Sequence, residues 1–409
     1  MLFFSFLCVL SVLRSQIPSV GYIITCFHDN KEFDAYVAPP PAFTEPGGTL
    51  LSEFDIEYID VPEEAQPAID YAAAIWASQL ASAAPIRVEV TWDSLGGTAL
   101  AAAGPTTLFR GLEGAVDPFA WYPVALAEAF VGEELNDTLQ ADIVVTVNRE
   151  VPWYFGLDGA PSRSQFDLVS VILHELGHGL GFLSSARVLE ETEEGVLGFD
   201  EIPLIFDFFL RNERNQFLLE EQFFPNPSDT LLEAFTSNEL RFASAAAAAF
   251  NGGRDPQLFA PRDFDEGSSI SHLDEFAFPS GDLNALMSPR LARAEAIHDP
   301  GPVTIAMMEE MGWNAQRVSL QPVVAAEPLI VFPNPVRERL SISLPGDLAA
   351  GAAQVALYDF GGRRLLRQRL ETKAAGAALE LDLSALAPGP YLLTLTGGGR
   401  IYRTKVVKH

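Results

Sequence analysis

The stretch VILHELGHGLGFLSS (171–185) constrains the chain more than any other part of it. His174 and His178 are four residues apart. On a helix that spacing places both side chains on one face, one turn apart. Phe166, Val169, Ile172, Leu173, Leu176 and Leu180 recur at helical intervals, which predicts a helix over 166–180, with Asp167 or Ser164 as its cap. Gly177, Gly179 and Gly181 crowd its end, where each glycine within a helix costs about 1 kcal/mol. Such clustering fits a close packing contact and a sharp exit, with Gly181 placed to end the helix in a left-handed conformation.

The pattern H-E-x-x-H has a specific chemistry. Two imidazoles one turn apart can meet a single zinc ion at about 2.0–2.1 Å from each nitrogen. Glu175, between them, can reach a water on that ion without ligating it and act as general base. A catalytic zinc ion takes three protein ligands and keeps one open position, so a third ligand is required. Ser184, six residues after His178, carries only a neutral hydroxyl, a poor zinc ligand. His409 is the last residue and His28 lies near the N-terminal apolar run, which leaves His272, His298 or a carboxylate.

Composition bounds the surroundings. The chain has 409 residues, enough for two domains, and at 48% hydrophobic and 20% charged it is globular in character. A net charge of −29 argues against nucleic acid or anionic membrane as partner. The run LFFSFLCVLSVL (2–13) is too short to span a bilayer and fits the core of a signal peptide over 1–20. Only Cys8 and Cys26 are present, so the fold does not rest on disulfides. Cys26 has a second reading, as a thiolate that blocks a zinc site in a latent precursor.

Charge then divides the chain. Residues 328–409 carry 11 Lys+Arg against 6 Asp+Glu, and the remainder carries 15 against 49. QPVVAAEP (321–328) reads as a linker, so the expected parts are a domain over 30–318, a linker over 319–327 and a C-terminal domain over 328–409. The C-terminal part is a series of short strand patterns, RLSISL, QVALYDF, RLLRQRLE, LELDLS, GPYLLTLTG and RIYRTKVV, which argues for a small Ig-like β-sandwich. The larger part is read as α+β. Helical spacing covers 66–82 and strands are expected at IRVEVTW (86–92) and DIVVTVN (142–148). The alanine run SAAAAAF (244–250) reads as plain helix, and Met307, Met308 and Met311 as core positions of a helix over 302–313.

FPNPVRERLSI (332–342), LYDFGGRRL (357–365), LDLSALAPGPYLLTL (381–395) and the closing KVVK (405–408) resemble the C-terminal sorting domain of type IX secretion substrates. The resemblance implies export by that machinery to the surface or surroundings of a Gram-negative bacterium. A second resemblance begins at HELGH. The order H-E-x-x-H-x-x-G, a long insertion, SH at 271–272 and a turn NALMSPR (284–290) is similar to the metzincin metallopeptidases, most closely the leishmanolysin-like branch. It implies a zincin-like fold with His174, His178 and His272 as ligands of one zinc ion, Glu175 as general base and Met287 as the apolar floor beneath the metal. The substrate implied is a protein or peptide, acted on by a monomer. The sequence departs from that branch in its spacing of 94 residues between His178 and His272, and in Leu273 where an aromatic is usual.

Two other readings remain from the residues alone. The loop DFDEGSS (263–269) gathers Asp263, Asp265 and Glu266, which reads as a solvated loop or a Ca2+ site. A non-catalytic exported adhesin on a decayed zincin fold is the alternative function.

Overall fold

A computed structural model describes residues 23–28, 31–44, 50–112, 114–199, 202–313, 329, 331–343, 351–359, 364–372, 378–397 and 400–409. The expected signal peptide over 1–20 and linker over 319–327 lie outside the described residues. The chain divides into two compact units at 318/319.

The first unit is built on a five-stranded sheet. Its strands lie side by side in the order Ile24–Phe27, Ala99–Pro105, Ile143–Asn148, Ile86–Asp93, Phe54–Ile59. The last three run parallel to one another, whereas Ala99–Pro105 is antiparallel to Ile143–Asn148 and Ile24–Phe27 is antiparallel to Ala99–Pro105. Ile86–Asp93 alternates buried isoleucine and valine with polar residues, the pattern of a strand packed on one face, whereas Ile143–Asn148 is more fully apolar. Both strands expected from the sequence are therefore present. Ala99–Pro105 is different: ALAAAGP has no alternation and every residue is buried.

Two helices pack together beneath this sheet. The helix expected over 66–82 is found as Gln66–Gln79, with Leu80 as its C-cap, and it buries Ile69, Ala72, Ala73 and Trp76. The second, Leu168–Gly179, has every residue buried. The Trp76 indole donates to the carbonyl of Leu173 at 2.8 Å, which ties the two together. At Gly179 a Cβ would lie 2.3 Å from Cγ2 of Ile143, so only glycine lets the helix lie this close to the sheet.

Between that helix and the end of the unit the chain is mostly loops, short strands and short helices. Ala245–Phe250 is the expected alanine helix, capped by Ser244. Pro302–Met311 closes the unit and buries Met307, Met308 and Met311 as expected.

The second unit is entirely β among its described residues. One antiparallel sheet joins Val331–Phe332, Arg339–Ser343 and Ala378–Asp382. The other joins Arg364–Thr372, Gly351–Asp359, Gly389–Gly397 and Arg400–Lys408 in that order. Leu340, Ile342, Val355, Leu357, Leu381, Leu393 and Tyr402 form one apolar core shared by both sheets. All six strands expected from the sequence are found.

Candidate metal centre

The site starts at the cap of the Leu168–Gly179 helix. Asp167, not Ser164, caps it, accepting from the Ser170 amide at 2.9 Å. Asp167 also receives His298 Nε2 at 2.8 Å, with both side chains fully buried. His298, one of the three possible sources of a third ligand, is thereby held at the start of the helix.

At its other end the helix closes as the glycines require. Gly181 has φ +120°, and the amide of Phe182 reaches back to the carbonyl of Gly177 at 2.9 Å. That exit brings the Phe182 carbonyl to Nδ1 of His178 at 2.7 Å. His174 Nδ1 meets the carbonyl of Leu286 at 2.7 Å, and His272 Nδ1 meets that of Ser268 at 2.7 Å. A carbonyl only accepts, so each Nδ1 carries the hydrogen and, in the neutral ring, each Nε2 presents a lone pair.

These three lone pairs converge. The Nε2 atoms are 3.0 Å apart between His178 and His174, 3.2 Å between His178 and His272, and 3.2 Å between His272 and His174. Two ligands of a tetrahedral zinc ion with bonds of about 2.05 Å lie roughly 3.3 Å apart. The three Nε2 atoms would hold such an ion and leave one coordination position for water or substrate. Without a cation or proton among them, three buried acceptors face one another with no donor. The donor set therefore fits a zinc ion, with each imidazole fixed by a backbone carbonyl behind it. Burial keeps the rings neutral: His174 is lowered to about 4, and His178 and His272 lie well below the ordinary histidine value.

Glu175 points to the same place. It is fully buried, and neither carboxyl oxygen has a hydrogen-bond partner among the described residues. Burial pushes its pKa well above the usual carboxylate range. The Cys26 amide offsets part of that shift without reaching hydrogen-bond geometry. Cys26 is itself at the site: its Sγ, a nitrogen of His174 and an oxygen of Glu175 lie within 4.8 Å of one another. Burial, with the Glu175 charge adding, raises the thiol well above its ordinary value.

Met287 is fully buried, on the turn that the Ser288 amide closes onto the carbonyl of Ala285. Its sulfur lies 2.8 Å from where a Gly177 Cβ would stand, so the glycine admits it against the helix between the two histidines. The Met287 carbonyl accepts from the Leu273 amide at 2.8 Å, which links this turn to the residue after His272. Asp265, of the acidic loop, lies 3.7 Å from Arg290, and among the described residues Asp263, Asp265 and Glu266 do not gather into a ligand group. The loop serves the centre through the carbonyl of Ser268 instead.

Ser184 is the position whose role sequence reasoning missed. Its hydroxyl donates to buried Asp207 at 2.6 Å, and its amide donates to the Ser271 hydroxyl at 3.0 Å. Nothing local to Asp207 signals this, because its serine partners lie 22 and 23 residues away.

Residues 330–409 match the family model described as the secretion system C-terminal sorting domain. Residues 100–234, which include the HELGH helix, match a model described as SPBPB7E8-like. No curated protein matches the chain. Among solved structures, dimeric latent PorU from Porphyromonas gingivalis is 23% identical over 20% of this chain and 9% of that one, with a TM-score of 0.16. The sorting domain marks a secreted or cell-surface protein of a Gram-negative bacterium that is handled by the type IX secretion machinery. No described helix is long and apolar enough to cross a membrane.

Proposed function

We propose that the first unit is a zinc-dependent endopeptidase with a zincin-like fold, of the metzincin type and closest to its leishmanolysin-like branch. The observation that carries this reading is the convergence of Nε2 from His174, His178 and His272, at 3.0–3.2 Å, beside the buried Glu175 carboxyl group, whose oxygens meet no hydrogen-bond geometry among the described residues. When bound, a zinc ion supplies a Lewis acid for the scissile carbonyl and lowers the pKa of its water toward about 7.

The remaining work belongs to the chain. His174, His178 and His272 hold the ion, each oriented by its carbonyl partner. Glu175 takes the proton of the attacking water and delivers it to the leaving amine. Burial raises its proton affinity, which suits a base that must accept a proton near neutral pH. Met287, buried against the helix at Gly177, would form the apolar floor beneath the metal. Protein or peptide is the substrate class, since an extended chain can add to a sheet edge.

The place of Cys26 favours a latent form. The Ile24–Phe27 strand covers the edge of Ala99–Pro105 and brings the Cys26 thiol within 4.8 Å of Glu175. In this reading the strand must leave before substrate enters.

Casein hydrolysis by the purified chain, after removal of the N-terminal strand, tests the activity. Glu175→Ala is expected to abolish hydrolysis while zinc is retained. A chain that holds zinc and cleaves nothing in either form would favour a binding protein on the same fold.

A further inference from the structure

The chain takes a long path from His178 to His272, and Asp207 stands inside it. It projects from the short 3-10 turn Ile205–Phe209 and is fully buried. One carboxyl oxygen accepts from the Ser184 hydroxyl at 2.6 Å and the Ser185 amide at 3.2 Å. The other accepts from the Ser185 hydroxyl and from the Leu204 amide at 2.9 Å. No basic side chain pairs with it among the described residues. A carboxylate buried among neutral donors is costly, and burial raises this one to about 6.

What these bonds hold is the exit from the metal-binding helix. Ser184 and Ser185 lie just past Phe182, whose carbonyl fixes His178. The Ser184 amide then donates to the hydroxyl of Ser271, the residue before His272. Backbone bonds complete the frame: the Ile270 amide meets the carbonyl of Phe259 at 2.7 Å, and the Phe259 amide meets that of His272 at 2.8 Å. Ile270 is held at φ +70°, a conformation that a β-branched residue adopts only under restraint. Strain two residues before a ligand indicates that the surrounding bonds dictate where His272 goes.

We propose that Asp207 is a positioning residue for the third metal ligand: through Ser184 and Ser271 it fixes His272 relative to the helix that carries His174 and His178. Ser184, which fails as a ligand, is then the joint between the two halves of the centre. The inference rests on the zinc reading of the three histidines.

Chelator competition gives the zinc affinity of the folded full chain, and the visible spectrum of the Co2+-substituted protein reports coordination. Asp207→Asn keeps the shape but loses the charge and turns one acceptor into a donor. It is expected to weaken zinc about 10–100-fold, the range for groups that orient metal ligands. Its Co2+ spectrum is expected to move toward that of His272→Ala. In the His272→Ala background, Asp207→Asn is expected to add nothing to the loss. Ser271→Ala, a milder change, is expected to weaken zinc in the same direction and serves alone if Asp207→Asn does not fold. A lower unfolding midpoint with unchanged zinc affinity and an unchanged Co2+ spectrum would overturn the proposal. So would an equal loss with and without His272, or an unaltered affinity in Ser271→Ala where that variant stands alone. A wild-type chain that takes up no zinc would instead remove the metal reading, and this inference with it.

Discussion

Replacing Gly179 with alanine sets two effects against each other. Alanine is favoured over glycine inside a helix by about 1 kcal/mol, and by less at a last helical position such as this one. Against this, the new Cβ would stand 2.3 Å from Cγ2 of Ile143 and 2.9 Å from its Cγ1 and Cδ1. Ordinary carbon contacts are about 3.5–4.0 Å, so the helix or the strand must shift by about 1 Å. Neither yields easily. Ile143 is fully buried and β-branched, in a strand hydrogen-bonded on both sides. Overpacking of this kind costs about 1–3 kcal/mol, so the net expectation is a loss of about 1–2 kcal/mol. His178 is the adjacent residue, and zinc bond lengths tolerate only about ±0.2 Å, so zinc affinity is expected to fall at least about tenfold. Guanidinium unfolding of the metal-free protein reads the first effect and chelator competition the second. A Gly179→Ala protein as stable as wild type, with unchanged zinc affinity, would refute the claim that this glycine is there for close helix–sheet packing.

Three further outcomes follow from the geometry. Met287→Ala is expected to cost about 2–5 kcal/mol in unfolding free energy, whereas Met287→Leu keeps the volume and is expected to cost under about 1.5. Glu128 is buried and raised to about 7, chiefly by burial, so wild-type stability from this group is full below its ordinary pKa and is lost as pH rises through 7. Glu128→Gln should therefore gain on wild type as pH rises from 5 to 8, by about 3 kcal/mol at most, measured as the difference between their unfolding free energies. His298→Ala removes a buried partner of Asp167 and is expected to lower stability by about 1–3 kcal/mol while leaving zinc binding intact.

Legibility of the sequence followed the range of the forces involved. The HELGH helix, its glycine exit and the C-terminal strands are written in periodicity and turn chemistry, which are local. Ala99–Pro105 escaped because alanine and glycine carry no strand signal, and its identity as a strand comes from neighbours on either side. The Val124–Val131 helix escaped because it is apolar almost all round and so shows no stripe. At the centre, His174, Glu175 and His178 are set by spacing alone. His272 came only through a family resemblance, because the bonds that bring it in run from Ser184 to Ser271, 87 residues apart, and from Leu273 to Met287, beyond the reach of local patterning. Asp207 left no trace in the chain for the same reason.

In the proposed function, three histidines from two distant segments bind one zinc ion. Zinc content per chain, measured on the purified full-length protein beside His272→Ala and His298→Ala, tests it most directly. Stoichiometric zinc in wild type and in His298→Ala, with loss in His272→Ala, is the expected result. Loss in His298→Ala with retention in His272→Ala, or a wild-type protein without zinc, would contradict it.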